Sequence, residues 1–100
     1  MKKIHTGQVL VCRSVLGLSQ VMFYQVVRCT SRTCEIRELR KKIISQIENE
    51  QEVEPIRDEF VSKKIRRKIL ENGAVKIGEN LFAWPWEGRP HWQATLIFIP

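Results

Sequence analysis

A chain of 100 residues with 43% apolar and 28% charged side chains has the usage of an ordinary globular protein, which excludes disorder and low complexity for the chain as a whole. At this length one domain spanning 1–100 is expected, burying somewhat over ~60% of the surface that its unfolded chain exposes. Seventeen Lys and Arg against eleven Asp and Glu leave a net charge of +6, which favours a nucleic acid or an acidic protein partner without choosing between them.

Taken in chain order, Val9-Leu10-Val11-Cys12 is a short apolar run after Gly7, and Val21 to Val27 is a longer one rich in aromatic and β-branched residues. Both read as strands covered on two faces. Ser14 to Gln20, with Gly17 and small polar residues, reads as the loop between them. Thr30-Ser31-Arg32-Thr33 is a polar turn, after which Cys34 and Ile36 alternate with Glu35 and Arg37 as the partner strand of a hairpin would. From Glu35 to Glu50 two readings stand. Ile36, Leu39, Ile43, Ile44 and Ile47 follow a helical period. No helix cap follows Thr33, however, and Ile43-Ile44 with Val53-Glu54-Pro55-Ile56 read as strand pieces around an acidic turn. Further on, Asn72-Gly73 lies between apolar flanks and predicts a second hairpin, with a type I′ turn in which both central residues take positive φ.

The segment from Trp84 to Trp92 gathers all three tryptophans, two prolines and His91. Pro85 and Pro90 forbid regular helix there and hold the indoles in set directions around a Glu87-Gly88 turn. Aromatics dominate cores and interfaces alike, so a core plug and a binding surface both remain open. Beyond it, residues 91 to 99 alternate so that one strand presents apolar side chains on both faces. Leu96 to Ile99 is therefore expected to pair with its counterpart in a second chain, making a homodimer, or to dock a partner; closure of the sheet within one chain is the alternative.

Charge is unevenly spread. Basic residues concentrate in Arg37, Arg40, Lys41 and Lys42 and again in Lys63, Lys64, Arg66, Arg67 and Lys68, with an acidic stretch from Glu48 to Glu59 between them. Gathered on one face, the two runs would suit a phosphate backbone; apart, they are solvated edges, and reversal of Lys63, Lys64, Arg66 and Arg67 to Glu is expected to leave the fold intact. Cys12, Cys29 and Cys34 are an odd set, and no long apolar stretch follows Met1 to Thr6, so reduced, buried thiols in a cytoplasmic protein are expected. His5 and His91 lie far from the cysteines, and no C-x-x-C or H-x-x-x-H spacing occurs, so no metal site is expected. No run approaches the ~20 apolar residues of a membrane span, and Leu96 to Ile99 is too short. Neither histidine has a nucleophile motif beside it, the carboxylates crowd one turn, and the glycines are scattered. An enzyme and a cofactor are not expected.

Gly7 with Val9-Leu10-Val11, Phe23 to Val27, Thr33 to Leu39, Arg67-Lys68 leading to Val75-Lys76-Ile77, and Ala83-Trp84-Pro85-Trp86-Glu87-Gly88-Arg89-Pro90 together resemble small SH3-like β-barrel proteins carried by phages, integron cassettes and other mobile elements. The resemblance covers roughly Gly7 to Thr95. It implies a mainly β fold, a small SH3-like barrel or roll, with strands over 40 to 56; a helix within residues 35–50 is the alternative. It brings no catalytic residues and suggests inhibition of a host defence. The expected function is a non-enzymatic binding protein of a mobile element that engages another protein, such as a host defence component. The alternative is a nucleic-acid-binding barrel using a basic surface and exposed aromatics. The candidate binding residues are Arg40, Lys41, Lys42, Lys63, Lys64, Arg66 and Arg67 with Trp84, Trp86, Arg89 and Trp92.

Overall fold

The computed structural model describes residues 4–14 and 20–95. The expected loop interior between the first two strands and the expected pairing strand at Leu96 to Pro100 lie outside the described residues. Eight strands form: β1 (Val9–Ser14), β2 (Gln20–Cys29), β3 (Thr33–Ile47), β4 (Glu50–Phe60), β5 (Ile65–Lys68), β6 (Val75–Gly78), β7 (Leu81–Pro85) and β8 (His91–Ala94). All pairings are antiparallel, in the order β6-β7-β1-β2-β3-β4-β8, with β5 on the N-terminal part of β3. β5 and β6 approach each other through the single bridge Ile69–Val75 and the bond from Arg67 Nε to the Ile77 carbonyl (3.0 Å), so the sheet is not closed.

The fold is mainly β, and no helix occurs among the described residues. The helix considered within residues 35–50 is corrected: β3 runs unbroken through Thr33–Ile47. Coverage of both sheet faces explains the first step of its helical spacing, while Ile43, Ile44 and Ile47 are exposed and lie in neither core. Strand neighbours three apart point to opposite faces, and Ile36 enters one core while Leu39 enters another. The first core holds Leu10, Cys12, Tyr24, Val26, Cys34, Ile36, Val75 and Ala83. The second holds Val9, Val21, Phe23, Leu39 and Val53, with Val11, Phe60 and Trp86 packed against it. Alternate residues of β1 and β2 thus feed different cores, which is why those strands read as continuous apolar runs.

Cover for the second core comes from a bent β4. Pro55 pairs with Lys41 and Phe60 with Leu39, so residues 56–59 loop out of the ladder, and Pro55 sits beside that bulge, where a sheet tolerates proline. The loop folds across β2. Gln25 Nε2 donates to Asp58 Oδ1 (2.8 Å) and the Asp58 N–H donates to Gln25 Oε1 (3.0 Å), while Arg57 donates to the Gly7 carbonyl (2.9 Å). At ~3.3 Å per residue, the 15 residues of β3 run the length of a molecule measuring 45 × 26 × 26 Å.

The Asn72-Gly73 hairpin forms with a different turn from the one expected. Gly73 alone is left-handed, with φ +89°. The Gly73 N–H donates to the Leu70 carbonyl (3.0 Å) and Leu70 N–H to the Ala74 carbonyl (2.8 Å). Asn72 acts through its side chain, whose Oδ1 accepts from the Ala74 N–H (3.0 Å).

Candidate functional site

Period-2 alternation sorts the aromatics of β7. Ala83 and Leu81 turn to the first core, so Phe82 and Trp84 stand on the outer face. There Trp84 pairs with Val11 of β1 and Phe82 with Lys76 of β6. Phe82 is 38% and Trp84 46% exposed, two neighbouring rings on a paired strand. Two residues further, Trp86 is half-buried. Its N–H donates to the Val9 carbonyl (2.9 Å), and its indole meets Phe23 edge-on at 6.0 Å in the second core. Trp92 is half-buried on β8 opposite Glu52. The tryptophan segment therefore packs against the second core at Trp86 and is surface at Trp84.

The connection from β7 to β8 is tied to itself. Trp86 Nε1 donates to the Arg89 carbonyl (2.7 Å), Gly88 takes φ +93°, and His91 Nε2 meets Glu87 Oε1. Burial draws the Glu87 carboxyl upward, but a backbone hydrogen bond, His91 and Arg89 outweigh it and hold the group below its ordinary value. His91 also meets the Phe23 ring edge-on at 6.1 Å. The Arg89 side chain is exposed.

The basic candidates do not gather on one surface. Lys41 turns inward: its Nζ donates to the Val21 carbonyl and to Gln93 Oε1, both at 2.8 Å. Desolvation lowers its ammonium below the ordinary value, against an opposing pull from Glu38. Arg40 and Lys42 stand on the opposite face of β3 from Lys41, exposed, with Arg40 3.6 Å from Glu59 and Lys42 paired across the ladder with Glu54. In the second run Lys63 is exposed, Lys64 and Arg66 approach Glu35 at 3.3 and 4.0 Å, and half-buried Arg67 bonds the Ile77 and Arg66 carbonyls. Glu35 pairs with Arg28 on β2 and with Arg66 on β5, so the three make a row on the face of β3 that Lys41 shares. A shallow cleft of about 120 Å³ lies there, lined by Arg28, Cys29, Thr30, Thr33, Glu35 and Arg66.

Cys12, Cys29 and Cys34 are free. Burial pushes the Cys12 thiol up, and burial with Cys29 alongside pushes Cys34 up to about 11, so both are protonated packing groups at neutral pH. Among the described residues no three His, Cys, Asp or Glu side chains gather to hold a metal ion, and no helix is long and apolar enough to cross a membrane. Phe82, Arg28 and Glu35 were absent from the candidates read in the sequence. The alternation Leu81-Phe82-Ala83-Trp84 carries the signal for Phe82, whereas the Arg28–Glu35–Arg66 row depends on a register that only the folded sheet sets.

The fold and its surfaces define a small all-β protein built on one bent, unclosed antiparallel sheet, with an exposed aromatic pair and a separate basic row. No family model, curated protein or solved structure matches the chain.

Proposed function

We propose that this chain is a non-enzymatic binding protein of a mobile element that engages another protein, a host defence component, through the outer face of β7. The bent antiparallel sheet is in keeping with the SH3-like roll that the resemblance implies, and three free thiols suit a reducing cytoplasm. The observation that carries the reading is the exposure of Phe82 and Trp84 side by side. A paired strand fixes their backbone, so little entropy is lost when a partner covers them, and a buried Trp anchor is typically worth about 2 kcal/mol or more at an interface.

A second reading rests on the Arg28–Glu35–Arg66 row with Lys64, which offers cations to a phosphate backbone. Base stacking on single strands would want those cations beside the rings, and the row lies on β2, β3 and β5 while the rings lie on β7. Titration with single- and double-stranded oligonucleotides at two salt concentrations separates the two. The protein-binding reading expects no saturable binding at physiological salt. Tight binding that weakens steeply with added salt and is lost in Arg66→Glu would replace it with the nucleic-acid reading.

A further inference from the structure

Beyond Glu38, the residue of β3 that pairs with Tyr24, no strand among the described residues pairs with the outer edge of β3. Sheets usually guard an open edge with charge, proline or a covering segment. Here Ile43-Ile44-Ser45-Gln46-Ile47 has no charge and no proline, and its one guard is the bulge between Ile43 and Ser45. Ile43, Ile44 and Ile47 are 55%, 39% and 60% exposed. The two ends of this stretch carry opposite charge, with exposed Arg40 and Lys42 before it and exposed Glu48 and Glu50 after it. A segment so arranged is complementary to itself when reversed, because an antiparallel copy lays its acidic end on the other's basic end.

We propose that β3 of one chain pairs antiparallel with β3 of a second copy, across a two-fold axis within Ile43 to Ile47, joining two sheets edge to edge. An axis at Ser45 sets Ile43 against Ile47 of the other copy and brings Lys42 towards its Glu48, the first residue of the turn after β3, twice by symmetry. Backbone groups that no described strand pairs gain partners, and no like charges meet. One strand from each copy makes a small interface, so the dimer is weak and concentration-dependent. An unrelated partner strand would have no need of opposite charges at the two ends of the same segment.

Sedimentation of the full chain over rising concentration tests this. The mass is expected to double; Lys42→Glu and Glu48→Lys are each expected to return the chain to monomer, and the two together to restore the dimer. Amide hydrogen exchange of the unmodified chain is expected to slow at residues 43–47 as concentration rises. A chain that stays monomeric throughout overturns the proposal, as does a dimer that survives both single reversals or leaves exchange at 43–47 unchanged. Should either variant lose its β-sheet circular dichroism, the exchange measurement decides alone.

Discussion

Gln93 illustrates how a single polar side chain can organise this molecule. It is 7% exposed, and its Oε1 accepts from the Val21 N–H (3.1 Å) and from Lys41 Nζ (2.8 Å) while its Nε2 donates to Gln51 (3.3 Å). A buried donor left without a partner costs about 1–3 kcal/mol, so Gln93→Leu is expected to destabilise the protein by about that much in urea unfolding, despite the added apolar surface. Gln25 has the same character. Its place inside the apolar run Val21 to Val27 announces in the sequence that a buried amide needs a partner, but nothing local identifies Asp58, thirty-three residues away. The Asn72-Gly73 turn divides its cost between two residues. Gly73→Ala meets the penalty of a left-handed φ, about 1 kcal/mol, and Asn72→Ala removes the acceptor for the Ala74 N–H, about 0.5–1.5 kcal/mol. Thermal melts of both single variants below the unmodified chain are the expected outcome; equal loss from Asn72→Gly and Asn72→Ala would further show that the side-chain acceptor is what matters.

At the scale of elements, β5 separates surface charge from structural charge. Lys63, Lys64 and Arg66 are exposed, whereas Arg67 is half-buried and bonds across the seam to β6. Of the four residues expected to tolerate reversal, Lys63, Lys64 and Arg66 have the exposure that the expectation assumes, and Arg67 does not. Lys63→Glu, Lys64→Glu and Arg66→Glu together are expected to keep the native circular dichroism with a small stability change. Adding Arg67→Glu is expected to lower the melting temperature clearly, since it strips the Ile77 carbonyl of its donor. The β7–β8 connection carries a pH dependence of known sign. Glu87 titrates below its ordinary value of 4.5 in the folded chain, so its contribution is complete above that value and is lost as pH falls through the lower folded one. The melting difference between the unmodified chain and Glu87→Gln is expected near neutral pH and should vanish in acid. Strand β3 was the least legible element. Its apolar spacing matched helix because Ile36 and Leu39 feed two cores and exposed isoleucines outside both cores continue the period, and the deciding partners, β2, β4 and β5, come from three separate parts of the chain.

For the molecule as a whole, the sequence was informative where the physics is local. Apolar runs marked β1 and β2, polar turns marked the hairpins, and the proline-rich tryptophan segment marked an irregular connection. Which tryptophan packs against a core was not local. Trp84 and Trp86 have the same parity, and only the end of the β1 ladder at Val9, with Phe23 beneath, draws Trp86 inward and leaves Trp84 outside. The basic candidates scattered for a related reason: alternation puts Lys41 on the face opposite Arg40 and Lys42, and a net charge of +6 cannot reveal that division. Two of the exposed features are a pair of aromatic rings on one side and a row of arginines about one glutamate on another, and the proposed function turns on which of them meets a partner. A photo-crosslinking residue placed at Phe82 or, separately, at Lys68 near the basic row, in the full chain inside host cells, tests this most directly. Discrete protein adducts from position 82 and none from position 68 are predicted. Nucleic-acid adducts from position 68 with none from position 82 would contradict it.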